Sequence, residues 1–97
     1  MSYLYLVREK DHSKFKIGYT IHPRARAKQY NTHSLDVEYI GHIEVPNKKW
    51  ELYMHWELLK LNYSKCITQG RTEWFNGFMN YKEFYEILLK LKQKIKS

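Results

Sequence analysis

Tyrosine, lysine and arginine recur at close spacing near the start of the chain. The segments are Tyr3-Leu4-Tyr5-Leu6-Val7, Lys16-Ile17-Gly18-Tyr19-Thr20 and Arg26-Ala27-Lys28-Gln29-Tyr30. Further on stands a carboxylate with a histidine four residues later, Glu51 and His55, a spacing that puts both on one face of a helix. Phosphodiester hydrolysis calls for side chains of these types. It needs a water deprotonated in line with the leaving oxygen, and positive charge on the phosphoryl oxygens. An arginine meets a phosphate through its planar fork. A divalent metal polarises the phosphate and stabilises the departing oxygen.

Patterning says which elements must position these residues. Ser2 to Arg8 is apolar on both faces, as a central strand would be. A polar break over Glu9 to Ser13 leads into a second strand, Lys14 to Tyr19, paired with the first. Gly18 interrupts that strand, which signals a bend or a close approach of something to the backbone. Thr20 or His22 caps a helix with Pro23 in its first turn, running through Tyr30 to a stop at Asn31. Leu35 to Val45 alternates, placing Leu35, Val37, Tyr39, Ile43 and Val45 on one face. Asn47 caps a helix bearing Trp50, Tyr53, Met54, Leu58 and Leu61 as its apolar stripe. After a loop from Asn62 to Arg71, Thr72-Glu73-Trp74-Phe75 is a short apolar return to the core. Asn80 with Glu83 starts a last helix whose buried stripe is Phe84, Ile87, Leu88, Leu91 and Ile95. The expected fold class is α+β: β-β-α-β-α-α, with a small three-stranded antiparallel sheet flanked by helices.

Composition narrows the class of protein. Ninety-seven residues suit one domain over residues 1–97, and 43% hydrophobic residues are enough to close its core. A single cysteine, Cys66, excludes a disulfide scaffold, and the five histidines have no zinc-like spacing with it. Cys66 is expected to be a small packing residue. No apolar run approaches a membrane span, and no signal peptide is evident. The expectation is a soluble, intracellular protein, cytoplasmic or nuclear, in the host cell if viral. The net charge is +7, which points first to a polyanionic partner and equally serves solubility. Thirteen of the seventeen basic residues are lysine, so the four arginines are the more informative cations.

The order and spacing of the three opening segments resembles the GIY-YIG nuclease superfamily. Tyr3-Leu4-Tyr5 stands where "G-I-Y" would, and Lys16-Ile17-Gly18 where "Y-I-G" would. Arg26 through Tyr30 matches the helix pattern R-x-x-[Q/E]-[H/Y/L]. Glu51-Leu52-Tyr53-Met54-His55 and Thr72-Glu73-Trp74-Phe75 look like a small branch in phages, other viruses and mobile elements, reading "KIGyT", "E…lH" and "EWF". The resemblance covers about residues 3–79 and leaves the C-terminal amphipathic helix, 80–96, outside it. Tyr3 replaces the family's glycine, and Lys16 replaces the first tyrosine of Y-I-G.

The resemblance implies an Mg²⁺- or Mn²⁺-dependent endonuclease acting on DNA. Glu51 would hold the metal, Arg26 would grip the scissile phosphate, and Tyr5 would act as general base or orient the water. A tyrosine with the usual pKa of about 10 is a poor base at neutral pH; Lys16 on the paired strand is the cation that would favour its phenolate. Tyr19 and Tyr30 would contact water or phosphate. Gly18, Arg24 and Lys28 are candidate nucleic-acid contacts, Arg24 on the DNA backbone or simply at the surface. His55 suits a second ligand or proton carrier, and equally a core histidine with a satisfied hydrogen bond. Glu73 competes as metal ligand or anchors a loop. The lysines of the last helix form a solvated face or a track for DNA phosphates. Two rivals stand beside the nuclease: a weak or inactive nucleic-acid-binding module of the same fold, and a small viral interaction protein. RNA as substrate and a homodimer both stay open.

Overall fold

Because both faces of the first strand are apolar, that strand must be covered on both sides. The computed structural model, which describes residues 1–33, 36–66 and 74–96, does so with helices on either face of one sheet. The order is β1 (Ser2–Glu9), β2 (Lys14–Thr20), α1 (Pro23–His33), β3 (Val37–Val45), α2 (Lys49–Lys60), β4 (Trp74–Asn76) and α3 (Tyr81–Lys96). The strands lie in the order β3-β1-β2-β4, every neighbouring pair antiparallel. The α+β class holds, but the sheet has four strands rather than three. The apolar return at Trp74-Phe75 pairs with β2 through Lys14↔Asn76, Phe15↔Phe75 and Lys16↔Trp74. A strand of three residues is too short to show alternation, so it reads in sequence only as an apolar insertion. Its far edge is met by part of the expected loop: Lys65 bridges Phe75, and the Cys66 N–H donates to the Trp74 carbonyl at 2.7 Å.

The register sorts the side chains. Leu4, Leu6, Phe15, Ile17, Val45 and Phe75 face α2 and α3, packing with Met54, Leu58, Phe84, Leu88 and Leu91 in the main core. Tyr5, Val7, Val37, Cys66 and Trp74 form a second cluster on the α1 face, with Tyr30 and Tyr39 against it. Cys66 is thus a packing residue. Leu61 and Ile95, expected in buried stripes, are exposed because each sits at the last turn of its helix, past the core.

The expected single apolar face of β3 does not exist. Leu6 pairs with Gly41 and Val7 with Tyr39, so Ile40 is an extra residue, a β-bulge. One extra residue inverts the alternation: Ile43 and Val45 face the main core, whereas Val37 and Tyr39 face α1. Leu35 lies outside the described residues.

Local chemistry sets the helix starts. Thr20 Oγ1 accepts the His22 N–H at 3.0 Å just before Pro23, and α1 continues past Asn31 to His33. Asn47 Oδ1 accepts the Lys49 N–H at 3.0 Å. Asn80 Oδ1 accepts the Glu83 N–H at 2.8 Å, which is one half of the expected capping box. Asn62, with φ of 70°, ends α2 in the left-handed conformation that asparagine tolerates.

Candidate functional site

Tyr5 sits at the centre of the α1 face, opposite Gly18 on β2 and His42 on β3. Its ring lies flat across Gly18: a Cβ there would overlap Cζ and Oη and come within 2.7 Å of Cε1. That is the close approach the glycine signalled, and no larger residue leaves room for it. From above, α1 contributes Arg26 and Tyr30, one helical turn apart on its sheet-facing side. The Arg26 guanidinium carbon is 5.8 Å from the Tyr5 ring centroid. The Tyr5 and Tyr30 hydroxyls are 3.4 Å apart. Arg26 Nη1 also donates to Gln29 Oε1 at 3.4 Å, which steadies the guanidinium on the helix. Arg24 and Lys28 occupy the exposed side of α1. Lys16 shares the face of Tyr5 but stands across from Val7 and Trp74, a diagonal neighbour of Tyr5 rather than its direct partner.

Two residues that patterning did not single out complete the enclosure. Tyr39 stacks on Tyr5, with centroids 6.0 Å apart and planes at 17°, and its hydroxyl is 2.9 Å from His42 Nδ1. Burial, with Tyr81 adding to it, pushes the Tyr39 pKa up to about 12. Tyr39 is therefore protonated at neutral pH, and its hydroxyl shares one hydrogen bond with His42 Nδ1. Simple alternation puts Tyr39 and His42 on opposite faces, and the bulge at Ile40 brings them together. The one available signal was Gly41 inside an otherwise regular strand. Gly41 also leaves space for the Tyr81 ring, which approaches to 2.7 Å of where its Cβ would be.

Glu51 and His55 are carried by α2, on the other side of the sheet. His55 is buried; its Nε2 lies 3.0 Å from the Ile17 carbonyl and its ring meets Phe75 edge-on at 5.4 Å. Among the described residues β4 pairing reaches Lys16, and His55 meets the next carbonyl on that edge of β2. It is a core histidine. The same contacts fix the direction of α2: His55 is at Ile17, and Tyr63, beyond the C-terminal end, meets Phe15 at 5.3 Å. The helix therefore runs opposite to β2. Glu51 lies one turn nearer the N-terminus of α2 than His55, on the face of the sheet opposite to Tyr5 and Arg26. Tyr19 points toward Glu51's side of the sheet, half-buried against the main core. Glu73 lies outside the described residues.

The Glu51 carboxylate is half-buried and has no hydrogen-bond or ion-pair partner among the described residues. Among the described residues no three His, Cys, Asp or Glu side chains gather as a metal cluster. One open carboxylate fits a hard ion that keeps most of its water and takes further oxygens from a phosphate, as Mg²⁺ does; it does not fit an ion that requires a full protein cage.

The fold is an α+β sheet that presents a phenol enclosed by a glycine, an arginine and a second phenol. The chain belongs to the T5orf172 domain family, whose model matches residues 2–92. That family is phage-associated and related to nucleases, and its match extends well into α3, beyond the motifs that first suggested a nuclease. No curated protein and no solved structure matches the chain. No helix among the described residues is long and apolar enough to cross a membrane.

Proposed function

We propose that the chain is a GIY-YIG-type endonuclease that hydrolyses DNA phosphodiester bonds, with Mg²⁺ or Mn²⁺ held by Glu51. The observation that carries this reading is the enclosure of the Tyr5 phenol by Gly18, Arg26 and Tyr30. A packing tyrosine needs no guanidinium over its face and no second hydroxyl at its own. Arg26 binds the non-bridging oxygens of the scissile phosphate and neutralises the charge that builds on them. Tyr5 accepts the proton of the attacking water, or orients that water, and Lys16 and Arg26 supply the positive field in which its proton leaves. Tyr30 holds the Tyr5 hydroxyl in place and is the next group along a proton path. A metal ion on Glu51 would contribute charge neutralisation at the phosphate and the leaving oxygen.

Supercoiled plasmid incubated with the wild-type protein in Mg²⁺ or Mn²⁺ should be nicked or linearised, and EDTA should stop it. Glu51→Ala should abolish cleavage and leave DNA binding largely intact. Arg26→Ala should cut cleavage by about a hundred-fold or more while weakening binding less than the loss of several lysines does. Metal-independent cleavage, or full activity in Glu51→Ala, overturns the assignment of the metal. The placement of Lys16 opposite Val7 rather than Tyr5 favours one alternative, a binding-only domain of the same fold; it would give a salt-sensitive gel shift with no cleavage by either protein.

A further inference from the structure

The face that carries Tyr5 does not end there. Two residues back along β1, and so on the same face about 7 Å away, Tyr3 forms one wall of an open groove of about 720 Å³. Ile21, His22, Pro23, Arg24 and Ala25, the turn and first residues leading into α1, form the opposite wall. That volume falls in the range of about 300–1,000 Å³ typical of small-molecule sites, enough for a nucleotide. His42 fixes the Tyr3 ring from one side, with centroids 5.3 Å apart and planes at 83°. Through Tyr39, His42 is also linked to Tyr5. The groove therefore shares the Tyr5 face of the sheet, and its Tyr3 is joined to Tyr5 through the His42 and Tyr39 rings. It combines an aromatic face, apolar flanks from Ile21 and Pro23, and one exposed cation, Arg24, on the side of α1 that also presents Lys28.

We infer that this groove holds the nucleotide next to the scissile phosphate, and that the base of that nucleotide is unpaired. The inference rests on the nuclease reading and names its substrate: DNA with a single-stranded stretch beside the cleavage point, not a continuous duplex. A paired base offers protein only its groove edges, whereas an unpaired base offers a face that stacks on an aromatic ring. Here Tyr3 receives the base and Arg24 receives the adjoining phosphate. A net charge of +7 supplies the sequence-independent attraction for the rest of the strand.

The test is binding in EDTA, where nothing is cut. Fluorescence anisotropy is measured for a short single-stranded DNA, for its blunt duplex, and for that duplex with a single-stranded overhang. The wild type should bind the overhang duplex and the single strand about ten-fold more tightly than the blunt duplex. Tyr3→Ala should erase most of that preference while Tyr3→Phe keeps it, with far-ultraviolet circular dichroism confirming that both fold. Arg24→Ala should weaken all three complexes alike and lower the salt slope by about one ion. Equal binding of blunt and overhang duplexes by the wild type, or full preference in folded Tyr3→Ala, overturns the inference and leaves the nuclease reading standing. Failure to bind any of the three overturns both.

Discussion

Gly18 and Tyr5 are best understood as one unit. The ring occupies the volume a side chain at position 18 would need, so Gly18→Ala must push the phenol away from Arg26 and Tyr30 or distort β2. Overpacking of this kind costs about 1–3 kcal/mol, to be read from urea unfolding followed by circular dichroism. Cleavage should fall by more than that stability loss explains, because the base is displaced. The double variant Tyr5→Ala/Gly18→Ala should recover the stability lost in Gly18→Ala relative to Tyr5→Ala alone, since the overlap is gone. Tyr5→Phe isolates the chemistry. It keeps the ring over Gly18 and removes only the hydroxyl, so stability and DNA affinity should stay near wild type while kcat falls about a hundred-fold or more. A Tyr5→Phe protein that cuts at the wild-type rate would remove Tyr5 from the proton path and leave it a packing residue.

At the level of elements, His55 separates structural from metal-binding roles on α2. Its Nε2 donates to the Ile17 carbonyl, next along β2 from the Lys16↔Trp74 pair. His55→Leu leaves that buried carbonyl without a donor and should cost about 1–3 kcal/mol, whereas His55→Gln, which restores an N–H, should cost less. In either protein, as long as it folds, the metal concentration for half-maximal cleavage should not move; a shift would make His55 a ligand after all. The histidine also illustrates how far the sequence could be read. Strands β1 and β2, the three helices and the Asn80 start of α3 were legible because period and cap chemistry are local signals; Asn47 bonds the Lys49 N–H, but the cap position of α2 is Lys48. Tyr5 and Arg26 were legible through the resemblance to GIY-YIG motifs, and Gly18 because it interrupts a strand pattern. The bulge at Ile40 was not, because register is set by pairing with β1 and leaves only Gly41 as a trace in the sequence. Tyr39 and His42 were missed for that reason alone. β4 was missed because three residues are too few to alternate. The side of His55 was undecided because a helix face does not reveal which strand carbonyl it will meet.

Over the whole molecule, surface lysines tie elements together, while the burial of phenols works against stability at high pH. The lysines of α3 are partly structural: Lys92 Nζ donates to the Glu44 carbonyl at 3.0 Å and Lys94 Nζ pairs with Glu57 at 3.3 Å, tying α3 to β3 and to α2. Two tyrosines carry the opposing effect. Burial first, with Tyr81 second, pushes the Tyr39 pKa up to about 12. Burial first, then Glu83, which accepts the Tyr63 hydroxyl, raises Tyr63. In the unfolded chain both phenols ionise near the ordinary value of about 10. Above that pH the unfolded state has released protons that the folded state still holds, so stability falls as pH rises. For Tyr39 the loss runs from about pH 10 to about 12, the interval between its unfolded and folded values. Below pH 10 both states keep the proton and there is no contribution. The other surface charges of a +7 chain also act in this range, so the wild-type curve alone cannot isolate the phenols. Comparison with variants can. Urea midpoints at pH 8 and pH 11 should fall further apart for the wild type than for Tyr39→Phe, and further still than for Tyr39→Phe/Tyr63→Phe, which has no buried phenol at either position. Tyr39→Phe also frees His42 Nδ1, so this variant should cleave less well at neutral pH if His42 helps to hold the Tyr5 wall in place. An alkaline loss of stability of equal size in the wild type and the double variant would show that the phenols of Tyr39 and Tyr63 do not govern the basic limit of the fold.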